Sequence, residues 1–115
     1  MDRAEYWKII TATIDWYGLE EQCDQAKEEM AELVVAISKW WRGAGKGQPL
    51  HADIALDVLR ENIADEIADV LITMDELIQG YGCAQEVNEH IQYKVNRLRQ
   101  RLEDEGCTIG GADNV

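Results

Sequence analysis

Lys27-Glu28-Glu29-Met30-Ala31-Glu32-Leu33 and, further along, Asp65-Glu66-Ile67-Ala68-Asp69-Val70-Leu71 decide how this chain reads. Each stretch sets two carboxylates three residues apart, Glu29 with Glu32 and Glu66 with Asp69. In a helix three residues make just under one turn, so the members of each pair share a face. The surrounding apolar residues say which face. At about 100° per residue, Ala26, Met30, Leu33, Ala36, Ile37 and Trp40 fill an arc with Glu29 near one edge, and Glu32 lies just beyond that edge. Counted from Glu66, the stripe of Leu59, Ile63, Ile67, Val70, Met74, Leu77 and Ile78 fills the matching arc, with Asp69 where Glu32 stood. Two amphipathic helices thus carry a carboxylate pair at the same margin of the stripe they bury, and packing the stripes together brings four acids toward one point.

Such convergence is costly without a cation. Two like charges about 4 Å apart repel by roughly 4 kcal/mol at an effective dielectric of 20, and burying one unpaired costs more. A hard divalent cation relieves both penalties, and an all-oxygen donor set suits Mg²⁺ or Mn²⁺ rather than zinc. Acidic residues are plentiful here, and roughly four or five such pairs would arise by chance as solvated helix faces. What sets these two apart is their equivalent placement on two apolar stripes.

The whole chain bounds the rest. It has 115 residues, 46% of them apolar, which is enough for one domain with a core, and is small enough for oligomerisation to add burial. The formal charge is −12, which repels nucleic acid and anionic membrane surfaces. A polyphosphate ligand would need metal ions and a local basic patch. Cys23, Cys83 and Cys107 are odd in number and form no Cys-x-x-Cys, so a reduced, cytoplasmic setting is expected rather than a disulfide scaffold. Neither a signal segment nor a long apolar run is present, so no membrane association is expected.

Residues 2–17 hold Tyr6, Ile9, Ile10, Thr13, Ile14 and Tyr17 at helical spacing, with Trp7 and Trp16 off the stripe and Gly18 as the stop. These aromatics read as core or contact residues, with base stacking as the alternative. A second helix is expected over 19–41, carrying the first acid pair. Arg42-Gly43-Ala44-Gly45-Lys46-Gly47-Gln48-Pro49 then breaks the helix. Its glycines and two cations fit either a flexible connector or a phosphate cradle, although no Gly-Lys-Ser/Thr is present. A third helix over 52–79 ends at Gly80-Tyr81-Gly82, with Asn62 near the acidic margin as a supporting polar group. A fourth, over 84–105, ends at Gly106 and is expected to bury Val87, Ile91, Val95, Leu98 and Leu102. Lys94, Arg97, Arg99 and Arg101 place four of the eleven basic residues within eight positions, either as ion-pairing groups or as a phosphate clamp. The fold class is therefore all-α, an antiparallel bundle of about four helices completed by oligomerisation. One domain over 1–106 is followed by a flexible tail, 107–115.

Several chemistries are excluded. His51 and His90 are the only histidines and neither follows a Glu by three residues, against a di-iron bundle. Ser38, the only serine, has no triad context, and no Cys/His cluster suits zinc.

Glu28-Glu29-x-x-Glu32 followed by Glu66-x-x-Asp69 resembles the paired acidic signature of the MazG-like all-α nucleoside triphosphate pyrophosphohydrolases. Tyr17-Gly18-Leu19-Glu20 leading into Gln25 through Leu33, and Tyr93-Lys94-Val95-Asn96-Arg97-Leu98, resemble small stand-alone members, including those carried by phages. The likeness spans roughly residues 17–102, with a gap between the acidic motifs at the long end for the family. It implies Mg²⁺-dependent cleavage of a nucleoside triphosphate to monophosphate and pyrophosphate by a homodimer or homotetramer. Carried over residue by residue, Glu29, Glu32, Glu66 and Asp69 match metal ligands, and Glu28 matches the leading acid, a water-orienting catalytic group. Lys94, Asn96 and Arg97 match the region that handles phosphate or base. Two rival expectations stand beside it: an acidic interaction module without catalysis, and a nucleotide sensor of the same fold without turnover.

Overall fold

The computed structural model describes residues 1–43 and 56–110, and among these every regular element is helical. They form α1 (Arg3–Tyr17), α2 (Leu19–Gly43), α3 (Leu56–Tyr81) and α4 (Ala84–Asp104). The Ala44–Pro49 part of the glycine-rich connector, His51 and the expected start of the third helix at 52 lie outside the described residues.

Local chemistry explains the boundaries. Asp2 caps α1 by accepting the Glu5 N–H at 2.8 Å, which satisfies one of the donors a helix start leaves over. Gly18 ends α1 and opens α2. Its N–H donates to the Ile14 carbonyl at 2.9 Å, its carbonyl accepts from Gln22 N–H, and its backbone sits at φ +90°, ψ 155°. That conformation is open in practice to glycine alone, so one residue turns the chain from one helix to the next. The third helix ends within Gly80-Tyr81-Gly82, as expected: Gly82 adopts φ +65° just beyond the last helical residue, Tyr81, and Gly80 lies inside α3. Its missing side chain serves packing instead, since a Cβ there would lie 2.6 Å from Leu19 Cδ1 and 3.3 Å from Ile14 Cδ1.

Two compact units result, one spanning Met1–Gly82 and the other beginning at Cys83. In the first, α2 packs mainly on α3, with α1 against both. Tyr6 meets Asp75 and Ile14 meets Gly80, so α1 runs the same way as α3. Gln22 meets Glu76 while Glu32 acts on Glu66, so α2 runs opposite to α3. Ile10, Ala26, Ala36 and Leu59 form the buried apolar centre, with Leu33, Ile63, Val70, Met74, Leu77 and Ile78 half-buried around it. Met30, Ile37 and Ile67, expected inside, are exposed.

The second unit is α4 and its exit. The α4 stripe lies at the expected helical angles but is not buried: Ile91, Val95 and Leu98 are exposed, and only Val87 and Leu102 are half-buried. A helical stripe is covered only where another apolar surface meets it, which spacing along the sequence cannot specify. The end at Gly106 follows expectation. Gly106 adopts φ +89° and donates to the Glu103 carbonyl, and Cys107 N–H reaches back to Leu102 at 2.9 Å, a Schellman ending. The expected flexible tail therefore begins with a fixed residue; 111–115 lie outside the described residues.

Candidate metal centre

The antiparallel pairing of α2 with α3 builds a polar seam into an otherwise apolar contact. Counting up α2 and down α3, Gln22 meets Glu76, Glu29 meets Asp69, and Glu32 faces Glu66. Spacings of three and four keep Glu66, Asp69, Thr73 and Glu76 on one face of α3. Gln22 donates to the buried Glu76 carboxylate, while the Thr73 hydroxyl bonds back to Val70 carbonyl at 2.9 Å. On the α1 side, the Tyr6 hydroxyl donates to Asp75 at 2.5 Å; partial burial, then this bond, push the phenol up to about 12.

In the middle of the seam, Glu29, Glu66 and Asp69 each bring one carboxylate oxygen to within 4.8 Å of the others. All three are half-buried, and Glu29 Oε2 and Glu66 Oε2 are buried without any hydrogen-bond partner. Glu29 Oε1 is held from its own helix, accepting the Gln25 amide at 2.6 Å. Desolvation raises the Glu66 carboxyl above the ordinary range, reinforced by the charges of Glu32 and then Asp69, Asp65 and Glu29. Asp69 is raised by desolvation, then by the Glu29 and Asp65 charges, and lies close enough to Glu29 to share a proton with it. A carboxylate oxygen buried without a donor is destabilising. Two in one spot, where every charge acting on Glu66 and Asp69 is acidic, call for a proton or a cation. Three converging hard oxygen donors fit Mg²⁺ or Mn²⁺.

The structure therefore draws together three of the four expected ligands. Glu32 is exposed and outside the three, one turn away along α2 and the strongest single charge acting on Glu66. Glu28 is exposed on α2, next to Glu29 in sequence but not part of the group. Lys94, Asn96 and Arg97 all lie on α4. There Asn96 accepts from Arg99 at 2.8 Å, the Arg97 guanidinium stands 5.8 Å over the Tyr93 ring, and a cleft of about 400 Å³ runs along Lys94, Arg97, Leu98 and Arg101.

A larger cleft, about 450 Å³, opens between α2 and α3 beside the acids. Glu32 and Glu66 form one end, Val35, Ala36 and Leu59 the walls, and Asn62 and Lys39 the remaining polar groups. Lys39 was not singled out from the sequence, although it lies seven residues, two turns, after Glu32 and so on the same face. Gln25, four before Glu29, is the other missed residue; Gln followed by Glu at that spacing is a recognisable helical pair.

Comparison with protein families, with curated proteins and with solved structures finds no match to this chain. Among the described residues no helix is long and apolar enough to cross a membrane.

Proposed function

We propose that this protein is a Mg²⁺-dependent nucleoside triphosphate pyrophosphohydrolase of the MazG-like kind, cleaving a ribo- or deoxyribonucleoside triphosphate to the monophosphate and pyrophosphate. One observation carries the reading: three carboxylates from two helices converge within 4.8 Å, with two of their oxygens buried and unpartnered. Solvated acidic faces, the bland explanation of an acid-rich sequence, do not bury bare oxygens.

In this reading Glu29, Glu66 and Asp69 hold the ion, and Mn²⁺ would serve the same donors. A bound Mg²⁺ offsets phosphate charge and lowers the cost of deprotonating water. Gln25 orients Glu29 so that its second oxygen faces inward. Glu32, which lines the cleft with Glu66, supplies an additional oxygen donor toward the same end. Glu28, solvated and uncommitted, is the carboxylate assigned to orient water and accept its proton. The water oxygen attacks the α-phosphorus, the bond to the bridging α–β oxygen breaks, and pyrophosphate leaves with that electron pair. By the resemblance, Lys94 and Arg97, with Asn96, are assigned to the phosphate chain, whose charge complements theirs.

The same reading makes the protein cytoplasmic and a homodimer or homotetramer, with no nucleic-acid or membrane partner. The wide exposure of apolar residues on α2, α3 and α4 supports self-association. Incubation with mixed nucleotides and Mg²⁺, followed by detection of pyrophosphate and monophosphate, tests the activity directly. Silence with every common, deoxy and damaged nucleotide would favour the acidic interaction module; calorimetric binding without product would favour the sensor.

A further inference from the structure

We propose that the cleft between α2 and α3 holds the nucleoside, and that Lys39 and Asn62 select bases with a carbonyl at the pyrimidine 4- or purine 6-position: uracil, thymine and guanine over cytosine and adenine. This rests on the pyrophosphohydrolase reading and adds a base preference to it. Its volume of about 450 Å³ falls in the range of small-molecule sites, which typically combine apolar walls with a few placed polar groups. The cleft and the carboxylate group share Glu66, so a phosphate chain gripped at the acids leads directly into it.

The polar groups are ordered along its length. Asn62 precedes Glu66 by four residues on α3, about 6 Å at helical rise. Lys39 follows Glu32 by seven on α2, about 10 Å. Between acids and ammonium lie Val35, Ala36 and Leu59, surfaces that suit a sugar and the faces of a base but not a phosphate. Lys39 thus stands two turns beyond Glu32, where the base edge falls. It has no ion-pair partner among the described residues, so its donors are uncommitted.

An ammonium only donates, whereas an amide both donates and accepts. Together they match an edge presenting a carbonyl beside a ring N–H. An exocyclic amine in that place would set donor against donor and leave the lysine unsatisfied as water is expelled, a mismatch that costs on the order of tenfold or more in affinity.

The test is equilibrium binding of dUTP, dTTP, dGTP, dCTP and dATP to the full chain by calorimetry, with Ca²⁺ in place of Mg²⁺ to hold back turnover. The wild type should bind the first three on the order of tenfold tighter than the last two. Lys39→Glu, which exchanges a donor for an acceptor on an exposed position, should invert that ranking, and Asn62→Leu should flatten it. Equal affinity for all five would overturn the inference and leave the enzyme reading standing. So would a Lys39→Glu protein that weakens every nucleotide alike, because that marks a phosphate contact. If the wild type binds none of the five while still binding Mn²⁺, both readings fall.

Discussion

At the scale of single residues, Glu29 divides its labour between two oxygens: Oε1 is fixed by Gln25, and Oε2 is buried with nothing to meet it. Glu29→Gln and Asp69→Asn each remove one charge from a like-charged group. Turnover should be lost while metal-free stability stays level or rises, read as pyrophosphate release alongside thermal melting in a chelator. A large loss of metal-free stability in either variant would mean that these side chains hold the fold together rather than hold an ion. The raised carboxyls of Glu66 and Asp69 give the matching pH dependence. Their folded values lie above their unfolded ones, so the folded state binds more protons. Their contribution is complete below the ordinary carboxylate range and is lost as pH rises through the raised values. A cation competes with those protons, so the stabilisation gained on adding Mg²⁺ should grow as pH rises from the acid range toward neutrality. Urea unfolding with and without Mg²⁺ across that range measures it, and a gain that shrinks with rising pH has the wrong sign. Helical spacing alone made Glu29, Glu66 and Asp69 legible as sharing one margin of the buried stripe. It gave Glu32 the right angle but not its depth, because angle around a helix says nothing of how far a neighbouring helix extends over it. Asn62 was legible near the acidic margin, whereas Lys39 acquires meaning only from the cleft that α2 and α3 leave between them.

At the scale of elements, glycines set the joints, and one of them serves packing instead. Gly18 and Gly106 stop helices where expected, since each meets a positive φ that other residues resist. Gly18→Ala should cost about 1–3 kcal/mol, because φ +90° with ψ 155° is strained for any residue with a Cβ. Chemical denaturation checks this, and a cost near zero would mean that the α1–α2 turn relaxes freely. The glycine at 80 carries the same sequence signal but a different cause: α3 runs through it, and the space is taken by Leu19 and Ile14. Gly80→Val should therefore destabilise by about 1–3 kcal/mol through overpacking, even though a helix interior ordinarily gains from replacing glycine. The two effects have opposite signs, and the denaturation midpoint decides between them. The lengths of α1, α2 and α4 were legible because 3.6-residue periodicity runs uninterrupted through each. What each face meets was not. Glu76 lies on the acidic side of the α3 stripe, with Glu66 and Asp69, yet it is buried where Gln22 on another helix donates to it.

At the scale of the whole molecule, charge and apolar exposure pull in opposite directions. No large side chain is fully buried among the described residues, whereas Val34 is 63% and Leu71 60% exposed on the two helices that carry the acids. A thin core beside that much uncovered apolar surface is the condition under which a second copy adds stability. Yet each copy carries −12, so like-charged chains must approach one another. Screening weakens that repulsion, with a Debye length of about 10 Å at 0.1 M salt, whereas apolar burial does not depend on it. Self-association should therefore tighten as salt rises from low to moderate concentration. Light scattering should return a mass of two or four chains, and the melting temperature should climb with protein concentration, as mass action requires when assembly stabilises the folded chain. Val34→Glu and Leu71→Glu put a charge into exposed apolar positions without disturbing the α2–α3 seam, and should shift the assembly toward single chains. A single-chain mass at every concentration and salt would show that this surface stays open in solution.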